Sequence, residues 1–214
     1  MMARGTLSAA KSRARAFWAD ESGANLVEFS LVVTLFLFLL FAIIDFGRVG
    51  NAWVGANKAT QLAARLAAVR PPACPGVPTL TVRGTASPAA NFGSLCRAGA
   101  GVCSSPTPVT CQGSAANATA QEIFTAVRPL VPAGTTIGQM RFSYTPDRDL
   151  GFLGGPYVPM VTVEFTSVTF TFVSPLGALV TAMTGSASTI RREIEMPGMS
   201  VSLPAEDLAL GMDG

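Results

Sequence analysis

Few side chains in this sequence could do chemistry, because its 214 residues contain no histidine. That absence removes the commonest general base, the commonest metal ligand and any Ser-His-Asp arrangement. The best-placed carboxylates of the second half are Asp147, Asp149, Glu164, Glu193 and Glu195. The first two sit in a turn-rich segment with too few regularly spaced oxygens for a calcium loop. The last two alternate behind Arg191 and Arg192, as charge pairs across neighbouring strands do.

The usual sequence patterns of catalysis and of nucleic-acid binding are also missing. The sequence has no phosphate loop, nucleophile elbow or dinucleotide fingerprint. Paired carboxylates can hydrolyse glycosides, but nothing else marks a sugar cleft. The formal net charge is only +2, and no Lys/Arg stripe follows the N-terminus. We therefore expect no enzyme, no cofactor, no metal site and no nucleic-acid partner.

All four cysteines fall within one segment rich in Pro, Gly, Ser and Thr: Cys74, Cys96, Cys103 and Cys111. Outside the cytoplasm, an even count in such a segment indicates two disulfides, with three possible pairings. A four-thiolate zinc site is the alternative, but it prefers close C-x2-4-C pairs that are absent here. The sequence predicts disulfide-stapled loops and leaves the pairing open.

The stretch most typical of a membrane protein is the apolar run from Ala24 to Ile44. As a helix its 21 residues cover roughly 31 Å, one hydrocarbon core. Four basic residues precede it, at Arg4, Lys11, Arg13 and Arg15, and predict a cytoplasmic N-terminus. A cleaved secretory signal is the competing interpretation, but the run is long and no small-x-small site follows it. We predict one spanning helix with the rest of the chain outside.

One acid, Glu28, lies near the leading edge of this run, five residues after Gly23. A carboxylate in hydrocarbon needs an interface or a partner. Glu28 could reach the head groups. Alternatively, cutting after Gly23 would create an ammonium at Ala24, and the acid could pair with the ammonium of a neighbouring subunit.

This arrangement resembles the prepilins of the type IV family, and in particular the TadE-like pseudopilins of the Tad (Flp) branch. The resemblance rests on Gly23, "ANLV", Glu28 and Phe29, then the apolar run and "DFGR". The segment "GSASTIRREIE" near the C-terminus is also similar to the final strand of TadE-like chains. The middle, from about Cys74 to Pro129, has no such match.

The resemblance implies a function. It makes Gly23 and Ala24 the processing site of a prepilin peptidase, and Glu28 with Phe29 the assembly and register residues. Major Flp pilins usually carry tyrosine after the glutamate and are much shorter, which favours a minor pilin. The implied partners are the peptidase, other pilins, an inner-membrane assembly platform and membrane lipid. The chain would lie in a bacterial inner membrane with a periplasmic head, or in an extracellular pilus that attaches to surfaces.

Two other interpretations remain open. An uncleaved, membrane-anchored binding or adhesion module would keep residues 1–23, which the pilin interpretation makes a basic leader. A membrane-anchored hydrolase is the weaker alternative, and a hydrolase screen on the purified head would test it.

The remaining pattern predicts an α+β head after a long helix over 24–70 that Pro71 ends. Apolar residues recur at helical spacing in its second part and predict a face that packs on the head: Phe46, Val49, Trp53, Ala56, Ala59, Leu62, Leu66 and Val69. In the head we expect cysteine-containing loops over 71–115, helix and antiparallel sheet over 116–200, and a tail over 201–214. Within these, the expected elements are a strand at 79–84, a helix near 118–130, a strand from about Gln139, a strand over 157–172 with a break at 166–167, short helices, and a last strand before Pro197.

Overall fold

The computed structural model describes residues 22–172, 181, 185, 193–206 and 208. The predicted leader lies almost entirely outside them, as do a short helix expected to begin at Ser174 and the first part of the last expected strand. The described residues belong to two compact units, one with residues 22–47 and the other with residues 48–172 and 193–208. The α+β class predicted from the sequence is confirmed.

A single helix, α1, runs for 48 residues from Ser22 to Val69. No proline interrupts it, and Arg70, followed by Pro71 and Pro72, closes it as predicted. The Arg70 amide still donates to Leu66 O at 3.0 Å, after which the prolines have no amide hydrogen to offer. The predicted bounds, 24–70, are therefore correct to within two residues.

The first part of α1 exposes large apolar side chains. Leu26 is 72% exposed, Phe29 69% and Ile43 71%. The helix is long and apolar enough to cross a membrane over Asn25–Val69, with a mean hydropathy of 2.7 in its most apolar window. Apolar side chains left in water at this density would be costly, and lipid removes that cost.

The second part of α1 packs on the head through alanines. Ala56, Ala59, Ala63, Ala64 and Ala67 are fully buried. The apolar face predicted from the sequence is confirmed in part, since Ala56 and Ala59 belong to it and are buried, whereas Leu62 and Val69 remain 37% exposed. Small side chains bring the helix backbone close to a sheet whose own side chains are large, and that close approach is why the alanine face is the buried one.

The main sheet has four antiparallel strands in the order β1-β2-β3-β6. They are β1 (Val109–Gln112), β2 (Met140–Thr145), β3 (Met160–Phe165) and β6 (Met199–Pro204). One face enters the core through alternate residues, including Phe142, Tyr144, Val161, Val163 and Phe165. The other face carries hydroxyls and charges, among them the Arg141–Glu164 ion pair.

The strand predicted over 157–172 is split where its alternation slips by one residue. After β3 the chain turns at Ser167, which has φ 54°, and continues as β4 (Thr169–Thr171). β4 leaves the main sheet and pairs with β5 (Glu193–Glu195) instead. The predicted break at 166–167 is confirmed, and the change of face goes with a change of sheet.

Three sequence predictions about the head need correction. Residues 79–84 form no strand, only isolated bridges from Leu80 to Pro156 and from Arg83 to Cys103. The 71–115 segment contains strand β1, whose pairing partner β2 lies about 30 residues away in sequence. The 201–214 tail begins as the second half of β6, paired with β3 through Val201 and Leu203. In each case a contact distant in sequence decided the local structure.

The helix predicted after the cysteine segment is α2, Ala118–Val127. Asn117 caps it by accepting a hydrogen bond from the Ala120 amide at 2.9 Å, and Ile123 and Val127 are buried. Asn117, Ala118 and Thr119 match the sequence pattern of a glycosylation acceptor. In this structure the asparagine of that pattern serves as the helix cap. Short 3₁₀ helices follow at Arg128–Leu130 and Ile137–Gln139 and lead into β2.

Candidate functional site

The residues of the predicted processing site lie at the start of α1. Gly23 and Ala24 are in its first turn, and Glu28 with Phe29 follow in the second. Glu28 is exposed, and among the described residues no hydrogen bond or ion pair holds its carboxylate. The nearby hydroxyls are satisfied inside the helix, since Ser30 donates to Val27 O and Thr34 donates to Ser30 O, both at 2.7 Å. Glu28 is thus the polar group of this segment that needs a partner.

Two charged residues further along α1 were not singled out from the sequence. Asp45 is only 2% exposed, although it lies next to exposed apolar positions. Arg48 places its guanidinium 5.5 Å from the centre of the Phe170 ring, a cation–π contact. Both belong to the "DFGR" motif. Two charged residues directly after an apolar run are unusual, and this was the sequence signal that could have singled them out.

The four cysteines form two disulfides, Cys74–Cys111 and Cys96–Cys103. The first ties the segment after α1 to strand β1 inside the main core. The second closes a loop whose ends are seven residues apart. The prediction of two bridges is confirmed, and the structure selects one pairing among the three that the sequence left open.

The acids considered for catalysis are scattered. Asp147 accepts a hydrogen bond from the Asp149 amide at 2.9 Å and so stabilises a turn. Glu164 pairs with Arg141 across the sheet. Glu193 and Glu195 are exposed on β5, and the arginines expected beside them lie outside the described residues. No group of three or more carboxylate or thiol side chains gathers anywhere in the described part of the chain.

The head contains a cleft of about 640 Å³. Three separated segments wall it, at 81–85, 96–105 and 146–158, which include the Cys96–Cys103 bridge. Arg83, Arg148 and Asp147 line it together with several hydroxyl side chains. Nothing in the sequence indicates this cleft, because none of the three segments carries a recognisable motif.

Tyr157 also lines the cleft and is 6% exposed. Its hydroxyl is buried and has no hydrogen-bond partner within the described ranges. Burial raises the pKa of this phenol above its ordinary value of about 10, so it is neutral at physiological pH. A buried hydroxyl without a partner is unusual in a folded protein and calls for an explanation.

These features define a class: an α+β protein with an N-terminal helix able to span a membrane and a head stapled by two disulfides. Residues 23–65 match the family of TadE-like proteins. Over this segment the chain is similar to TadE-like proteins, and the resemblance inferred from Gly23, Glu28 and the apolar run is confirmed. The match ends before the cysteine segment and does not include the C-terminal similarity. No curated protein and no solved structure matches the chain.

Proposed function

We propose that this protein is a minor pilin or pseudopilin of a Tad-type pilus, with a structural rather than a catalytic role. The observation that carries the proposal is the TadE-like match, which begins at Gly23 and covers Glu28 and the exposed apolar part of α1. A helix this apolar needs lipid or the helices of other subunits around it. Both surroundings are available to a subunit that is stored in a membrane and then assembled into a filament.

In the proposed pathway, the chain enters the inner membrane with its N-terminus in the cytoplasm and its head in the periplasm. A prepilin peptidase cuts after Gly23 and leaves an ammonium on Ala24. Glu28 lies four residues further on, roughly 6 Å along the axis. A neighbouring subunit displaced by one helical turn would bring its ammonium to this carboxylate. The pair relieves the cost of burying either charge alone and sets the register between subunits.

The proposed partners follow from this pathway. They are the peptidase, other pilins, an inner-membrane assembly platform with an ATPase that acts indirectly, and membrane lipid. Contribution to pilus assembly and to surface attachment is the proposed outcome for the cell.

The first experiment is intact mass measurement and N-terminal sequencing of the protein from native membranes, with and without the prepilin peptidase. The proposal expects a chain that starts at Ala24 only when the peptidase is present. A start at Met1 or Met2 in both strains would contradict processing. It would favour the uncleaved, membrane-anchored binding module, for which Glu28 is an interfacial acid on a permanent anchor.

A second experiment tests the role of the Glu28 carboxylate. Glu28→Ala should reduce incorporation into pili while leaving membrane insertion intact, because only the intersubunit ion pair is lost. Ser30→Ala is the matched control, since the Ser30 hydroxyl is already satisfied within its own helix. Incorporation is measured by immunoblotting of sheared pili. If Glu28→Ala incorporates as well as Ser30→Ala, the carboxylate does not set the register.

A further inference from the structure

The cleft of the head is built as a polar pocket with an apolar border. Its floor and walls carry two guanidinium groups, Arg83 and Arg148, and one carboxylate, Asp147. Hydroxyls of Thr85, Ser104 and Ser105 line the same space. A volume of about 640 Å³ lies within the range of small-molecule sites, about 300–1,000 Å³.

The two arginines differ in how they are held. The Arg83 guanidinium donates to Ala90 O and lies 5.1 Å from the centre of the Phe92 ring, so its position is fixed. Arg148 is exposed, and in the part of the chain that the structure describes it has no ion pair or hydrogen bond. The two guanidinium groups give the pocket a positive potential. Because the Arg148 guanidinium is uncommitted, it can donate two parallel hydrogen bonds to a carboxylate.

Acceptors are present as well as donors. Asp147 uses one oxygen in its turn and keeps further acceptor capacity. The hydroxyls of Thr85, Ser104 and Ser105 can both donate and accept. This mixture suits a ligand that carries several hydroxyl groups and a carboxylate. A bare phosphate would gain little from Asp147, and the usual phosphate cradle of backbone amides at a helix start is not what lines this space.

An apolar surface adjoins the cleft and shares Thr81 and Arg83 with it. There Phe92 is 74% exposed and Phe152 is 42% exposed. Exposed aromatic rings beside hydroxyl-rich polar groups provide a flat surface for the C–H face of a sugar ring, while the polar groups bind its hydroxyls.

We propose that this cleft binds an acidic saccharide, with the sugar carboxylate on Arg148 and the sugar hydroxyls on Asp147 and the neighbouring Ser and Thr side chains. A uronic-acid oligomer of the kind found in surface polysaccharides has the required chemistry. The proposal stands on the head alone and does not depend on cleavage at Gly23 or on incorporation into a pilus. If the pilin proposal fails, the saccharide proposal still stands, and if the saccharide proposal fails, the pilin proposal still stands.

The test uses the full-length protein in detergent micelles, titrated calorimetrically with trigalacturonate. The expected result is saturable binding that weakens as salt is raised, because part of the attraction is between charges. The fully methyl-esterified trimer is the matched neutral ligand and should bind at least about tenfold more weakly, since charged hydrogen bonds contribute the most. Equal binding of the two trimers, or no binding of trigalacturonate, overturns the proposal.

Variants locate the site. Arg148→Gln should weaken trigalacturonate binding at least about tenfold, and Ser104→Ala about threefold to tenfold, as expected for loss of a charged and a neutral hydrogen bond. Arg97→Gln is the control, because Arg97 is an exposed arginine on the same disulfide loop that does not line the cleft. Arg148 is exposed, so Arg148→Gln should not lower the melting temperature, and a loss of affinity in this variant reports binding rather than misfolding.

Two further outcomes would overturn the assignment. If Arg148→Gln and Arg97→Gln weaken binding equally, the attraction comes from general positive charge and not from this cleft. If triglutamate or inorganic phosphate competes with the same affinity as trigalacturonate, the pocket recognises any anion and not a sugar.

Discussion

Tyr144 and Tyr157 are the only two tyrosines of the chain, and both are buried in the head. The Tyr144 hydroxyl accepts a hydrogen bond from the Ala73 amide at 2.8 Å, whereas the Tyr157 hydroxyl has no partner in the described part of the chain. The same substitution should therefore have opposite effects at the two sites. Tyr144→Phe leaves a buried amide unsatisfied and should lower the free energy of unfolding by about 1–3 kcal/mol. Tyr157→Phe removes an unsatisfied hydroxyl and should leave it unchanged or raise it.

Urea unfolding in detergent, followed by tryptophan fluorescence, measures both variants. A loss of stability in Tyr157→Phe equal to that in Tyr144→Phe would mean that the Tyr157 hydroxyl has a partner in the free protein.

The two phenols also predict a pH dependence. Burial raises the pKa of both, and the Ala73 amide only partly offsets this for Tyr144. Between the unfolded pKa of about 10 and the higher folded values, the unfolded chain has lost protons that the native chain retains. The contribution of these two phenols to stability should therefore be constant below pH 10 and fall above it. Tyrosinate absorbance at alkaline pH checks this, because only these two residues contribute, and titration at pH 10 in the native protein would contradict it.

At the scale of elements, Gly55 marks a close approach of α1 to the head. A Cβ at this position would lie 2.6 Å from Leu130 O, a backbone atom of the 3₁₀ helix. Gly55→Ala should gain about 1 kcal/mol of helix propensity but lose more through this clash, so that it lowers the melting temperature.

Gly50→Ala is the matched control in the same helix, because no described atom lies within 4 Å of its Cβ position. It should leave the melting temperature unchanged or raise it. Thermal unfolding followed by circular dichroism compares the two variants. Equal melting temperatures would show that the helix does not contact the head closely at Gly55.

The two disulfides should differ in their contribution to stability. Cys74–Cys111 spans 37 residues and joins the end of α1 to β1, whereas Cys96–Cys103 spans seven. In the chain-entropy description the longer loop contributes about 4 kcal/mol and the shorter about 2.5 kcal/mol. The double variant Cys74→Ser/Cys111→Ser should therefore unfold at a lower urea concentration than Cys96→Ser/Cys103→Ser. The reverse order would place the greater constraint at the cleft loop.

At the scale of the whole molecule, the chain combines an exposed apolar helix segment with a head that has its own buried core. We expect the protein to remain in the membrane pellet after alkaline carbonate extraction, since roughly 20 apolar residues are enough to anchor it. In spheroplasts, added protease should digest the head, in keeping with the predicted cytoplasmic N-terminus. Release by carbonate would contradict the spanning helix, and protection of the head would contradict the orientation.

The sequence by itself determined the features that depend on neighbouring residues. The apolar run and Pro71 define α1, α2 lies within the helix predicted near 118–130, and the slip in alternation at 166–167 ends β3. An even number of cysteines in a loop-rich segment indicated two bridges. These predictions succeeded because propensity, capping and periodicity act over one or two turns of chain.

Tertiary structure decided what depends on contacts between distant segments. The disulfide pairing, the identity of β1 and β6 as strands, and the burial of Ala63, Ala64 and Ala67 on α1 each required a partner far away in sequence. The cleft is the clearest case, because the three segments 81–85, 96–105 and 146–158 contribute side chains to one space. No local pattern specifies such a site, since its walls come together only when the sheet, the loops and the disulfides have fixed one another in place.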